Sequence, residues 1–331
     1  MARPNPYRPF TPDPEQVAVT PDISGNTVNG LDEAEPRRPS MVYWAPNPAD
    51  IPHGPLQLYF YGQSAKVPAF AERRAVRQEV IDAPLPEVAG DPVQREPQDW
   101  TLSLDRFIEA GDCEMVGVAE MQPYFMFEDK DIAQSRIIVV GVQHDFDEIS
   151  AAPDPQAGLE VMTQYTRAAA AVMQMAGWIR SQGWDAKPVT GPMTSELALV
   201  PAALACGFGE LGKNGSIINP ALGASFRLSA VLTDAPFEPT PPQDFGIDEF
   251  CQNCHVCQDA CPPEAIASDK KTVRGVEKWY VDFDKCLPFF NQTHGCAICI
   301  AVCPWSRPGV GLNLADKLAR RAERLAGETT S

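Results

Sequence analysis

The sequence predicts an α+β protein, a mixed α/β core followed by a small cysteine-rich module, and three observations predict it. Eight of the ten cysteines fall in the last quarter of the 331-residue chain, as Cys251, Cys254, Cys257 and Cys261, then Cys286, Cys296, Cys299 and Cys303. Between Trp100 and Thr233, apolar segments of helical period alternate with short apolar runs of the kind buried strands carry. Ahead of them, more than half of the 33 prolines stand in residues 1–100. The chain therefore divides into an irregular extension wrapping the core (1–99), the core (100–246), the cysteine module (247–308) and a carboxy-terminal helix or tail (309–331).

In the extension, poor apolar periodicity supports only a short strand at Gln57–Tyr61 and a helix at Pro68–Val80, and offers no pattern for pocket walls. From Trp100 onward, Leu104–Ala110 reads as a helix and Met115–Ala119 as a strand. Ser135–Val142, with Ile137, Ile138, Val139 and Val140 in succession, reads as a buried strand. Gly158–Gly183 is the best helix, with Leu159, Met162, Tyr165, Ala169, Val172, Ala176 and Ile179 on one stripe and Gly183 suited to its end. A second helix is expected over Ser195–Cys206, then a glycine-punctuated loop to Gly215 and a strand over Arg227–Thr233. The proline-rich linker Pro236–Asp244 separates core from module.

Composition excludes several functions. With 27 basic against 44 acidic residues the formal charge is −17, a field that repels polyanions, so DNA is excluded as a partner and tRNA disfavoured. A local basic run, Lys317, Arg320, Arg321 and Arg324, falls on a helical period and reads as a solvated face. The longest apolar stretch, Leu197–Gly209, is broken by Pro201 and is too short to span a bilayer. Without an export signal, a cytoplasmic location is expected.

The cysteines repeat one grammar, C-x2-C-x2-C-x3-C-P to Pro262 and C-x9-C-x2-C-x3-C-P to Pro304. Two-residue gaps let a tight loop aim three thiolates at three corners of a cubane, which favours two 4Fe-4S clusters. In two-cluster ferredoxins the fourth cysteine of each run serves the other cluster. That rule assigns Cys251, Cys254, Cys257 and Cys303 to one cluster, and Cys261, Cys286, Cys296 and Cys299 to the other. The competing reading is a pair of structural zinc sites, against which stand the third cysteine at regular spacing and the trailing C-P. A disulfide framework is weaker still. Cys113 and Cys206 lie outside both runs and are expected to be buried, inert thiols.

The segment Gly207-Phe-Gly-Glu-Leu-Gly-Lys-Asn-Gly215 packs four glycines into nine residues, without the order of a dinucleotide-binding or P-loop motif. Together with Pro220, Gly223, Arg227-Leu-Ser-Ala-Val-Leu-Thr-Asp234 and the doubled cysteine runs, it resembles the cobalamin-dependent reductive dehalogenases over about residues 100–305. The epoxyqueuosine reductases share that core, cofactor and clusters. They carry an acidic proton donor shortly before the second helix, where this chain reads Thr190-Gly-Pro-Met-Thr194.

The resemblance implies a nitroreductase-like, cobalamin-binding core before a bacterial-ferredoxin-like two-cluster module. It also implies base-off cobalamin, in keeping with four histidines (His53, His144, His255, His294) none of which stands in a D-x-H-x-x-G motif. The family's catalytic tyrosine falls on Tyr165 and its basic partner on Arg227; a cation beside a phenol favours the phenolate and so eases proton donation. Both residues keep bland alternatives, Tyr165 as core with a satisfied hydroxyl and Arg227 as half of a surface ion pair. Gly209, Gly212, Lys213, Asn214 and Gly215 are the expected cofactor-binding loop, with turn formation the alternative for Lys213 and Asn214. The implied reaction is reductive dehalogenation of a halogenated phenol or benzoate, supplied by an external ferredoxin- or flavodoxin-type electron donor. The rivals are an epoxyqueuosine-reductase-like corrinoid enzyme with another substrate, and an electron carrier without catalysis.

Overall fold

The computed structural model describes residues 5–192 and 194–329. The extension, expected to be irregular, carries five helices between irregular stretches such as 29–47 and 83–96: α1 (Pro14–Ala18), α2 (Gly25–Val28), α3 (Gly54–Ala65), α4 (Pro68–Asp82) and α5 (Pro97–Leu102). The strand expected at Gln57–Tyr61 lies inside α3. Its aromatic run favours a strand by composition, but Pro55 pre-sets the first helical turn and Phe60 stacks on Phe290, with ring centroids 5.6 Å apart. Prolines open most of these helices, which is how a proline-rich segment becomes helical.

The core follows as α6 (Asp105–Glu109), β1 (Met115–Glu120), β2 (Arg136–Gln143), α7 (Phe146–Ile149), α8 (Pro155–Ser181), β3 (Ala186–Val189), α9 (Leu199–Ala205), β4 (Glu210–Leu211), β5 (Ile217–Ile218) and β6 (Phe226–Thr233). Its main sheet is antiparallel throughout, in the order β1-β2-β6-β3. Strand alternation sends Ile138, Val140, Val142 and Val231 to one face, where they bury against Val172, Met175 and Ile179 of α8. Ile137, Val139, Ala230 and Leu232 go to the other, against Leu199, Ala202 and Ala203 of α9. Both faces are dry, which is why β2 reads as an unbroken apolar run. The helix expected from Ser195 starts only at Leu199, because Ser195 stands at φ 62, outside the helical region. Strand β3 carries no sequence signal beyond its neighbours, since Lys187 and Pro188 interrupt any alternation.

The module comprises α10 (Ile247–Asn253), α11 (Val256–Ala260), a hairpin of β7 (Lys271–Val273) and β8 (Val276–Lys278), α12 (Phe283–Gln292) and α13 (Ile298–Ala301). Helix α14 (Val310–Thr329) closes the chain, with Leu314, Ala315 and Leu318 packed on Ile247 and Trp305. On its basic face Arg321 pairs with Glu249 at 3.3 Å and Arg320 with Asp316 at 3.7 Å, so acids of this chain accompany that run. Strand β4 ties core to module, since the Glu210 carboxylate accepts backbone N–H bonds from Phe245, Ile247 and Asp248 at 2.7–3.1 Å at the start of α10. Arg8 donates to the carbonyls of Gln258 and Cys261, Asn26 bonds Asp282 and Asp284, and Tyr43 donates to Asn291 at 2.5 Å. These bonds of the extension run to the module rather than to the core.

Candidate active site

Three segments far apart in sequence enclose a cavity of about 570 Å³ between core and module. The core supplies Tyr165, Gly191, Pro192 and Arg227, the extension Tyr43 and Trp44, and the module Cys286, Leu287 and Phe290. A second cavity of about 230 Å³ adjoins it and shares Trp44, Tyr165, Pro192, Arg227 and Phe290. Tyr165 and Arg227 thus stand on the wall common to both.

Their meeting follows from parity. Arg227 lies four residues before Val231 on β6, so it faces the α8 side of the sheet, beyond the last fully apolar layer. Tyr165 lies one turn before Ala168 and Ala169 on α8, where the helix emerges from that core. The Arg227 guanidinium sits 5.3 Å from the centroid of the Tyr165 ring. The two expected site residues are therefore brought together, and among the described residues Arg227 makes no carboxylate ion pair of the kind its surface alternative needed. Gly191 packs on the same ring: a Cβ there would stand 3.1 Å from the ring and 2.8 Å from the Leu228 carbonyl.

One partner had no sequence signal. His144, one residue past β2, is buried and its Nε2 accepts from Arg227 Nε at 2.9 Å, while Nδ1 stands 2.9 Å from Ser225 Oγ. Burial, and then the Arg227 charge, hold this imidazole well below the usual histidine range, so it is neutral and able to accept. Only the register that pairs Val142 with Arg227 makes the contact visible. Arg74 and Arg77 of α4 also reach the smaller cavity, and nothing in the extension's pattern distinguished them.

The glycine loop divides its duties. Gly215 lines the large cavity with Ser216 and Ile217, but Lys213 and Asn214 face the module. Lys213 is buried, with Nζ 4.9 Å from the Trp279 ring centroid and 3.5 Å from the Gln252 carbonyl. Asn214 donates to the Cys299 carbonyl at 3.2 Å. Gly209 and Gly212 pack against Ile218 rather than either cavity.

Cys251, Cys254, Cys257 and Cys303 surround one small cavity together with Lys213 and Asn214. Cys261, Cys286, Cys296 and Cys299 gather beside it, close enough to act on one another electrostatically. Among the described residues no three His, Cys, Asp or Glu side chains converge on a single-ion site. Burial pushes Cys257 and Cys286 up to about 12, and Cys296 and Cys303 up to about 11. Such thiols release their protons on binding metal rather than before it. Cys113 and Cys206 are buried in the two faces of the core, each pushed up to about 12 by burial, which suits inert thiols.

Residues 250–306 match the 4Fe-4S dicluster domain. The chain is similar to curated reductive dehalogenases: it is 30% identical over 221 residues to the tetrachloroethene reductive dehalogenase of Desulfitobacterium hafniense, covering 62% of this chain and 39% of that one. Over 149 residues it is 29% identical to the epoxyqueuosine reductase of Staphylococcus aureus, covering 40% of this chain and 36% of that one. The chain thus spans roughly two fifths of the length of these relatives. Among solved structures, a catabolic reductive dehalogenase in complex with 3-bromo-4-hydroxybenzoic acid shares the fold, at 24% identity and a TM-score of 0.66 over 74% of this chain and 38% of that one. Among the described residues no helix is long and apolar enough to cross a membrane.

Proposed function

We propose that the chain is a cobalamin- and iron-sulfur-dependent reductase that removes halogen from an aromatic substrate at the wall formed by Tyr165 and Arg227. The observation that carries this reading is the stacking of Arg227 over Tyr165 where the two cavities meet. The large cavity suits a corrinoid. Small residues on its wall, Gly191, Ala198, Gly215 and Ala224, would let a large planar macrocycle approach the backbone. Cys251, Cys254, Cys257 and Cys303 would hold one 4Fe-4S cluster, and Cys261, Cys286, Cys296 and Cys299 the other. When bound, these groups supply electrons and a strongly nucleophilic, low-valent cobalt. We read the core as nitroreductase-like, with helices on both faces of its antiparallel sheet in support, and the cofactor as base-off.

The chain's own residues do the rest. Tyr165 presents a phenolic proton at the cavity wall, and Arg227 is placed to take up the negative charge left when that proton moves to the substrate carbon. His144 holds the guanidinium in place. Trp44, Phe60 and Phe290 give the aromatic substrate an apolar bed. A chain of net charge −17 fits this reading better than one that acts on tRNA. The free, buried Cys113 and Cys206 suit a reducing cytoplasm, where an external ferredoxin- or flavodoxin-type donor would supply electrons.

The test is reconstitution with iron, sulfide and cobalamin, then assay for halide release from haloaromatics under a low-potential reductant. Eight irons and one cobalt per chain with halide release is the expected result. Turnover of epoxyqueuosine-bearing tRNA without halide release would replace this reading with its rival. Retention of iron without cobalt would leave an electron carrier.

A further inference from the structure

The inward stripe of α4 reads Phe70, Arg74, Arg77, at steps of four and three residues, where an apolar continuation would be ordinary. Phe70 is buried, and the two arginines that follow line the smaller cavity with Arg227. Although the chain has 44 acidic residues, no Asp or Glu is among the residues lining this cavity, and none of its three arginines takes part in an ion pair among the described residues. Arg74 rests 5.8 Å from the Tyr61 ring centroid. Arg77 donates through one terminal nitrogen to the Gly191 carbonyl, and its Nε is buried with no hydrogen-bond partner. Arg77 is half-buried, and a guanidinium whose Nε is buried and unused, with no counter-charge, is unfavourable until an anion meets it.

We infer that the smaller cavity selects substrates bearing a carboxylate, which Arg77 binds with Arg74 beside it while the ring lies among Trp44, Phe60 and Phe290. This rests on the reading of Tyr165 and Arg227 as the reacting wall and adds the substrate's charge to it. A carboxylate offers two planar acceptors that match the guanidinium fork, and Arg77 is close enough to Tyr165 to interact with it electrostatically. An arginine at this position orients the ring relative to Tyr165 as well as holding it.

The test measures binding of 3-chlorobenzoate and of 3-chlorobenzamide to the reconstituted full-length chain by calorimetry. The two ligands share a shape and halogen and differ in charge. The carboxylate is expected to bind at least about tenfold tighter, a difference of about 1.4 kcal/mol. Arg77→Gln should bring the ratio close to one, and Arg77→Lys should restore part of it. Equal binding of amide and carboxylate by the unaltered chain overturns the inference, even if no Arg77 variant folds. A preference that survives Arg77→Gln also overturns it. Halide release from both compounds at equal rates would sink charge selection and leave dehalogenation standing, whereas charge-selective binding without halide release would sink dehalogenation alone.

Discussion

Arg227 donates from Nε to His144 Nε2 at 2.9 Å, so the cation over Tyr165 is steered by a buried neutral imidazole that contacts neither cavity's apolar bed. Replacing His144 with Phe keeps the bulk and removes the acceptor, leaving a charged donor unmatched. The expected loss is about 1.5–3 kcal/mol of stability by denaturant unfolding. In the proposed reaction a fall in kcat with KM little changed is expected, because Arg227 is mispositioned rather than removed. An unchanged kcat in a folded His144→Phe protein would show that the contact is structural only.

The same bond fixes a pH dependence. Burial and the Arg227 charge lower the folded-state pKa of His144, and burial lowers that of His53. The unfolded chain therefore binds protons near pH 6.5 that the folded chain refuses, and stability is full above that pH and falls as pH drops below it. Protonated Nε2 would also turn from acceptor to donor and repel Arg227. Melting temperatures measured from pH 8 down to pH 5 should decline below about 6.5, less steeply in His144→Gln. A flat profile would contradict the buried neutral imidazole.

Tyr165→Phe removes only the hydroxyl, leaving the ring under Arg227 and against Gly191. General acids contribute typically about 10²–10⁴-fold, so single-turnover halide release should slow by that order while ligand binding persists. An unchanged rate would assign the proton to another donor.

Strand β2 and helix α8 were legible because each is buried on a long apolar surface whose period the sequence records. Three cysteines of each run stood out because their spacing is local, whereas the grouping of Cys303 with the first run and Cys261 with the second came only from the crossover rule of two-cluster ferredoxins. His144, Arg74 and Arg77 were not legible: each acquires its role through a partner tens to more than a hundred residues away, Arg227 for the first and Gly191 for the last. Helix α3 failed for a related reason, since aromatic composition spoke for a strand while Pro55 and the packing of Phe60 on Phe290 decided for a helix.

Gly209, expected to approach a cofactor, instead approaches the backbone of its own hairpin. It stands at φ 131, and a Cβ would lie 2.0 Å from the Ile218 carbonyl oxygen across the β4–β5 hairpin. Backbone cannot yield as a flexible side chain does, so Gly209→Ala should cost more than about 3 kcal/mol, combining backbone strain with the clash. Denaturant unfolding checks this. A loss under about 1 kcal/mol would mean that the hairpin shifts freely.

Lys213 links the glycine loop to the first cysteine quartet. It is buried beside Cys251, Cys254, Cys257 and Cys303, has no carboxylate partner among the described residues, and is held by the Trp279 ring and the Gln252 carbonyl. Its backbone N–H also donates to Cys251. A cluster held by this quartet would become more negative on taking up an electron, and a fixed buried cation would stabilise its reduced form over the oxidised one. Lys213→Met keeps the apolar stem and removes the charge. The midpoint potential of that cluster should fall, by about 59 mV for each tenfold of lost stabilisation of the reduced form. A cluster held by Cys261, Cys286, Cys296 and Cys299, which do not line the cavity that Lys213 lines, should move less. A redox titration followed by electron paramagnetic resonance separates the two, and an unshifted potential would leave Lys213 as a packing residue bridging core and module.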